Sequence, residues 1–502
     1  MTPLVTAEEM NEVDSGTQTT YGIPAIVLME GAGIGAWRVI AERAKPGDAI
    51  VFVVGKGNNG GDALVMARHC WCERRTGSAV LVAPESELSD LAKTHAAALR
   101  ALGMPLYVWG TDRDASVREL DSAAFVVDGV LGTGLNGPAR GASAEVIEAI
   151  NSALAHRVAV DVPSGAGDGW RPEWPVVRAD LSVTFGLPKQ MLYMPRVRPY
   201  AGKIIRVPLT FARELACSGS HRCHLVEDRD LRELIPPMPA DAYKGVRGSV
   251  GVFGGSIGMT GAPLLAAVSA LRCSAGLASV ICDPGVAAAI ASHEAAVMVK
   301  PVSGAELGRV SHDFDSACVG PGWGTSGRDE LLRAVVGGSR FGVIDADGLK
   351  VLASMEEPLR PGEGWVLTPH VGELAALIGI STDEVLDDWF GSAREASLRY
   401  NTVVVAKSHV TVIAAPDGRT WVVDGMTPSL GTAGSGDVLA GAIAALLCRL
   451  EDAATAAIAG VVLHARAGRR AAAEHGYFLS SDLPAALSVE VALCDGSSGS
   501  AR

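Results

Sequence analysis

Short β-branched runs alternate with longer stretches of helical spacing along most of this chain, the pattern that a parallel sheet with crossover helices requires. Ala49 to Val54 is apolar throughout and reads as a buried strand, with Ser78 to Val82, Phe125 to Val127 and Arg157 to Val160 as further strands. Each ends near a glycine or an aspartate. The alternation resumes at Gly248 to Phe253 and continues through Ala317 to Val319, Gly342 to Ile344, Gly364 to Leu367, Thr402 to Ala406 and Thr411 to Ala414. Ser218-Gly219-Ser220 and Ile235-Pro236-Pro237-Met238-Pro239 separate the two series, since they break helix and sheet alike. The pattern predicts an α/β protein with a Rossmann-like first domain over residues 1–215 and a connector over 216–243. A second α/β domain over 244–490 and a flexible Ser/Gly-rich tail over 491–502 follow.

The composition agrees with that reading. With 502 residues, 48% hydrophobic and 20% charged, the chain is too long for one ordinary core. A net charge of −13 argues against a nucleic-acid partner held by general electrostatics. The first thirty residues lack the pattern of a secretory signal, and the weakly polar stretch Ala262 to Cys282 is interrupted by Arg272 and by glycines and serines. A cytoplasmic protein without a membrane partner is expected. The nine cysteines lack framework spacing and fit reduced thiols. Cys217, His221, Cys223 and His224 match no common zinc spacing, so a zinc site is not favoured.

Ligands of open parallel sheets bind beyond the carboxyl ends of the strands, so the glycine-rich loops there carry the candidate chemistry. Gly31-Ala32-Gly33-Ile34-Gly35-Ala36 fits a dinucleotide pattern but lies within helical spacing that runs from Pro24 to Ile40, and reads as helix packing. Gly55-Lys56-Gly57-Asn58-Asn59-Gly60-Gly61-Asp62 instead follows a buried strand and precedes the helical run Ala63 to Arg74. After the third strand, Asp128-Gly129-Val130-Leu131 leads into Gly132, Gly134 and Gly137, spaced to cradle a pyrophosphate ahead of a helix over Ser143 to Leu154. The fourth strand delivers Asp161-Val162-Pro163-Ser164-Gly165. Asp128 and Asp161, with Asn59 and Ser164, supply hard oxygen ligands suited to a cation, and Asp161 can serve as an acid or base.

These loops in this order, with Thr184-Phe185-Gly186-Leu187-Pro188-Lys189, resemble the N-terminal YjeF domain, the NAD(P)H-hydrate epimerase. The resemblance implies that Asn58, Asn59, Gly60, Gly61 and Asp62 bind the hydrated dinucleotide together with Gly132, Thr133, Gly134, Leu135, Asn136, Gly137, Pro138 and Asp161. It also implies a potassium ion on Asn59, Asp128 and Ser164, and proton transfer at C6 by Asp161 with Lys189 assisting. Ala63 stands where that family commonly has glycine, and Gly165-Ala166-Gly167-Asp168 replaces its more usual loop.

In the second half no Gly-x4-Gly-Lys-Ser/Thr loop occurs, which disfavours a P-loop NTPase. Its candidate loops are Phe253 to Ser256 with Thr260-Gly261-Ala262, Gly320 to Gly324, Asp345-Ala346-Asp347, Thr368 to Glu373, Lys407 to Thr411 and Gly431 to Asp437, the last running into the apolar stretch Val438 to Leu447. Glycines, a helix start and one carboxylate coincide at Gly431 to Asp437, as a phosphate site requires. Read singly, Asp437 or His370 could be a helix cap and Lys407 a solvated strand end. Their order resembles the ribokinase-like fold, and within it the ADP-dependent NAD(P)H-hydrate dehydratases, over about residues 244 to 485.

That resemblance implies hydrate contacts at Ala262, Gly322, His370 and Asp437, with Asp437 as base toward the substrate hydroxyl. It implies adenine-nucleotide contacts at Lys407, Ser408, His409, Val410, Thr411 and Gly436, ADP as co-substrate with magnesium, and AMP and phosphate as products. The partners expected are the small molecules NAD(P)HX and ADP, within a homo-oligomer. Ser408 replaces a glycine usual after the lysine. Two other readings fit single motifs. A vitamin or sugar kinase would use the second half with the first as a regulator, and a nucleotide sensor would bind without turnover.

Overall fold

The computed structural model describes residues 1–167, 169–216 and 221–496. It divides into two units, Thr2–His221 and Arg222–Arg502, the latter taking in Met1. In the first, a short strand β1 (Thr2–Pro3) precedes the parallel sheet of β2 (Ile50–Val54), β3 (Gly77–Leu81), β4 (Leu106–Val108), β5 (Phe125–Gly129), β6 (His156–Val160), β7 (Leu181–Phe185) and β8 (Lys203–Val207). The order is β4-β3-β2-β5-β6-β7-β8. Every residue of β2, β5 and β7 is buried, because both sheet faces carry side-chain layers. One layer gathers Phe52, Leu64 and Trp37, the other Val53, Val126 and Ile147.

The chain order reverses on either side of β2, which has β3 on one flank and β5 on the other. That reversal opens a crevice between the loops after β2 and β5. The helix following β2 spans Asn58–Cys72, so it starts earlier than the sequence pattern indicates and takes both asparagines into its first turn. Gly60 makes the early start feasible, since a Cβ there would lie 2.1 Å from the Gly55 carbonyl oxygen. The decoy glycine motif is inside the helix Ala25–Ala41, where Gly33 seats Val65 and Gly35 seats Val207.

The second unit opens within the stretch read as a connector. β9 (Cys223–Leu225) joins its sheet beside the last strand, and Val226, Leu231 and Ile235 enter its core. These buried residues all precede Pro236, Pro237 and Pro239, which are exposed. The remaining strands are β10 (Ser249–Phe253), β11 (Leu277–Cys282), β12 (Met298–Pro301), β13 (Ser316–Val319), β14 (Gly342–Ile344), β15 (Trp365–Leu367), β16 (Val403–Ala406), β17 (Val410–Ala414) and β18 (Thr420–Asp424). They run β9-β18-β17-β16-β15-β14-β13-β10-β11-β12, parallel except for the β16–β17 and β17–β18 pairs. The reversal point falls at β10, between β11 and β13.

The helix Leu483–Cys494 carries regular structure into the stretch read as a tail, because Leu487, Glu490 and Val491 are buried. Residues 497–502 of that tail lie outside the described residues, as does Asp168. Among the described residues no helix is long and apolar enough to cross a membrane.

The apolar stretch after Asp437 forms the helix Ser435–Leu450, with Val438 through Leu447 buried. It packs on the helix Gly261–Arg272 so closely that a Cβ on Gly441 would lie 2.0 Å from the Ala266 carbonyl oxygen. Gly441→Ala is therefore expected to destabilise the protein by about 1–3 kcal/mol, the usual range for overpacking. Chemical denaturation checks this, and an unchanged midpoint would contradict the close approach.

Candidate functional site

In the first unit, the loops after β2, β5, β6 and β7 converge with two N-terminal helices on a cavity of about 570 Å³. Of the sequence-predicted residues, Asn58, Asn59, Asp62, Gly132, Thr133, Gly134, Leu135, Asn136 and Asp161 line it. Gly60 and Gly61 are buried and serve packing, Gly61 under Met29 and Gly60 against Gly55. Gly137 and Pro138 fall outside the lining.

Asp161 ends β6 with φ at +65°, a backbone state that few non-glycine residues adopt, and it holds its carboxylate toward β7. Three donors share its Oδ1: the Lys189 ammonium at 2.5 Å, the Thr184 hydroxyl at 3.0 Å and the Phe185 N–H at 3.1 Å. Its Oδ2 has no hydrogen-bond partner among the described residues. Lys189 is almost fully buried and also donates to the Phe185 carbonyl.

Asn59, Asp128 and Ser164 come together under the same cavity. Asp128 accepts from the Ser164 hydroxyl at 2.5 Å, the Ser164 N–H at 2.8 Å and the Val130 N–H at 3.2 Å. Asn59 Nδ2 donates to the Leu131 carbonyl at 2.9 Å, and the Ser164 hydroxyl accepts from the Leu131 N–H at 2.7 Å. Burial lifts the Asp128 carboxyl to about 6 against those hydrogen bonds, so a cation beside it would relieve a real electrostatic cost. The donor set of carboxylate, hydroxyl and carbonyl oxygens suits a hard cation.

Two further carboxyls face this cavity. Asp62 lies just past the first turn of the helix Asn58–Cys72, and Asp14 comes from the helix Ala7–Thr19, which the sequence pattern does not single out. The signal was present: Thr6 and Glu9 form a capping box, and Met10, Val13 and Thr17 mark the buried face beside Asp14. Burial, then the neighbouring Asp161 and Asp14 charges, hold the Asp62 carboxyl well above the usual range. Burial likewise raises Asp14, against the pull of Lys189.

In the second unit the loops after β10, β13, β14, β15 and β16 meet the glycine-rich helix start. Gly434 has φ at +92°, which turns the chain into the helix, and Asp437 sits in the first turn rather than at the cap. The N–H groups of a first helical turn lack intrahelical partners and point outward, as phosphate binding needs. Lys407 reaches this turn: its ammonium is 3.3 Å from where a Gly436 Cβ would sit and 2.8 Å from Asp345 Oδ1. Asp345 is fixed in turn by the Thr368 hydroxyl at 2.7 Å. Asp347 accepts from the Gly324 N–H at 2.9 Å, and Gly322 packs against Met259 and Ala262. Ala346, between the two aspartates, has φ at +48° and ψ at −119°, a strained state for a residue with a Cβ.

His370 does cap the helix Val371–Ile378, accepting from the Gly372 and Glu373 N–H groups through Nδ1. The ring stays largely exposed, with Nε2 3.4 Å from Glu373 Oε1, so one carboxylate backs the ring that the cap fixes. A backbone bridge joins His370 to Lys407. Of the predicted nucleotide residues, Val410 is fully buried and offers only backbone, while the Thr411 hydroxyl donates to the Ser408 carbonyl. Ser408 and His409 lie together in the same turn. Sequence reasoning quoted the Asp345 and Glu373 loops without assigning those residues a role. Both carboxyls surround Lys407 and hold its ammonium above the usual range against the pull of burial.

Cys217 lies outside the described residues, the His221 ring bonds the Leu215 carbonyl, and among the described residues no group of three His, Cys, Asp or Glu could hold a metal.

Burial, then the Asp345 charge, lifts Asp437 to about 7 despite Lys407. A carboxyl raised in the folded state binds its proton more tightly there, so its ionisation costs stability as pH rises from about 4 to 7. Asp437→Asn cannot ionise and is expected to gain roughly 1–3 kcal/mol over wild type between about pH 4 and pH 8. Denaturation at both pH values checks this, and a pH-independent gap would contradict it.

A family model described as NAD(P)H-hydrate dehydratase matches residues 250–489, and one described as YjeF-related protein N-terminus matches residues 25–191. The chain is 34% identical to the bifunctional NAD(P)H-hydrate repair enzyme Nnr of Moorella thermoacetica over 494 residues, 94% of this chain and 93% of that one. It is 34% identical to the Coxiella burnetii enzyme of the same name over 92% of this chain and 94% of that one. Among solved structures, a ribokinase-like superfamily protein from Enterococcus faecalis aligns with a TM-score of 0.50 at 25% identity. That match covers 54% of this chain and 96% of the other.

Proposed function

This chain belongs to the bifunctional NAD(P)H-hydrate repair enzymes, an epimerase and a dehydratase in one polypeptide, and from that premise we propose how its residues divide the work. The 570 Å³ cavity of the first unit binds the hydrated dinucleotide, with the pyrophosphate along Gly132 to Asn136 and the nicotinamide ring toward Asp161. Carbon C6 of that ring bears the added hydroxyl and adjoins the ring nitrogen, so it is a hemiaminal centre whose C–O bond breaks with proton transfer. Asp161 is the base. The arrangement of all three donors on its Oδ1 supports this, because Oδ2 is left to meet substrate. Asn59, Asp128 and Ser164 hold a potassium ion, which supplies positive charge beneath the pyrophosphate loop. Gly60, Gly61, Gly137 and Pro138 then act by shaping the loops.

In the second unit Asp437 takes the proton from the S hydrate's hydroxyl. The hydroxyl oxygen attacks the β-phosphorus of ADP, AMP leaves, and the phosphorylated oxygen then departs as phosphate when C5 gives up its proton. The outcome is NAD(P)H. First-turn N–H groups and the Lys407 ammonium stabilise the phosphoryl oxygens, with magnesium accompanying the diphosphate. Ala262, Gly322 and the exposed His370 ring contact the hydrate, and the Lys407 to Thr411 turn with Gly436 contacts the nucleotide. The single observation that carries this assignment is the Lys407–Asp345 pair set against the glycine-rich first turn that bears Asp437, whose carboxyl burial pushes up to about 7. A base in that range suits neutral pH.

The test supplies mixed R and S hydrates with ADP and magnesium and follows recovery of NADH absorbance. Wild type is expected to consume both isomers and Asp161→Asn only the S isomer. Asp437→Asn is expected to lose dehydration by a factor of about 10² or more. Replacing potassium by a bulky organic cation should mimic Asp161→Asn. Full activity in Asp437→Asn would refute the assignment, and a stable phosphorylated vitamin or sugar without hydrate consumption would favour a kinase.

A further inference from the structure

The epimerase cavity holds more carboxyl groups than the single base requires. Asp14, Asp62 and Asp161 line it, with Lys189 and Lys56 as the lysines. Lys189 is committed to Asp161, and Lys56 turns to Glu87 at 2.5 Å. Glu30, on the helix beside it, is engaged by Arg68 and His69. Three carboxyls thus share one committed ammonium in a cavity proposed to take an anionic dinucleotide, and carboxyls gathered this way disfavour one another's ionisation.

Resting on the epimerase reading above, we propose that Asp62 is the general acid that protonates the departing C6 hydroxyl, and that Asp14 is the positioning residue that keeps the proton on Asp62. Asp161 Oδ1 accepts from three donors, Lys189, Thr184 and Phe185. Asp62 has the opposite surroundings: the charges of Asp161 and Asp14 disfavour its anion, and only Lys189 opposes them. Two carboxyls with environments pushed apart are the arrangement that separates acid from base.

The step balances without any further reactant. The Asp62 proton passes to the C6 oxygen, the C6–O bond breaks with its electron pair leaving as water, and the ring-nitrogen lone pair forms N1=C6. Water then adds to the opposite face, the π pair returns to nitrogen, and the proton of the adding water goes to Asp161 Oδ2. The reverse reaction uses the same two groups in exchanged roles. Epimerisation therefore replaces the C6 oxygen by one from solvent.

The experiment uses the full chain without ADP, so that the second site is silent, and follows interconversion of separated R and S hydrates from about pH 5 to pH 9. An acid must be protonated, so wild-type turnover should fall as pH rises through the Asp62 titration. Asp62→Asn is expected to lower turnover about 10²-fold with KM within about threefold, and to abolish that alkaline fall. Asp14→Asn removes a repelling charge, so the fall should move to lower pH while turnover at the acid end is retained. A purely structural role for Asp14 would lower activity without moving the limb. In ¹⁸O water each inversion should incorporate one labelled oxygen.

An alkaline limb unmoved in Asp14→Asn, or inversion with the original oxygen retained, would overturn the proposal even if Asp62→Asn failed to fold. Wild type that leaves both isomers untouched would instead overturn the epimerase reading, and this proposal with it.

Discussion

Each candidate centre of this chain is organised around a lysine ammonium drawn mostly out of water and set against an aspartate at the end of a parallel strand. Lys189 meets Asp161 at 2.5 Å, and Lys407 meets Asp345 at 2.8 Å. Desolvating such a pair costs several kcal/mol, and removing either partner leaves a buried charge uncompensated. Both units meet that cost with hydrogen bonds: Thr184 and Phe185 support the first pair and Thr368 supports the second. The sheets make this feasible. Parallel strands bring loops from distant parts of the chain to one edge, where donors can be fixed before any substrate arrives.

The same burial has a second effect. Carboxyls beside these pairs lie in a medium that disfavours charge, and a neighbouring aspartate adds repulsion. Asp437 rises to about 7 and Asp62 rises well above the carboxylate range for the same two reasons, burial and another aspartate. On the proposed assignment the raised group of the second unit is the base, with the neighbouring lysine paired to Asp345, and the raised group of the first unit is the acid, with the lysine paired to the base. One physical device thus gives two chemistries, according to which aspartate the lysine takes.

The loops were legible in the sequence because glycines, asparagines and aspartates directly after apolar runs leave few structural alternatives. Helix starts were less so, as with Asn58, whose helix begins early because Gly60 lets the backbone close on Gly55. β7 escaped notice because Ser182 and Thr184 break its apolar pattern. Both hydroxyls are buried and bonded, Ser182 to the Ala201 carbonyl and Thr184 to Asp161. β9 escaped notice because its three residues, Cys223-His224-Leu225, are too few to show a strand period beside Ser218-Gly219-Ser220. Asp14 was illegible for a different reason. A carboxylate on an amphipathic helix reads as solvated until tertiary structure turns it into a cavity, and the electrostatics of Asp62 depend on that placement.

The two proposed centres, carried by Asp161 and Asp437, are independent and act in series. Complementation tests this most directly: pure R hydrate with ADP is given to Asp161→Asn alone, to Asp437→Asn alone, and to an equal mixture of the two. Neither variant alone should restore NADH at an appreciable rate, and the mixture should restore it steadily as the S isomer passes through solution. Recovery by either variant alone at the wild-type rate, or a mixture as inert as its parts, would contradict the account.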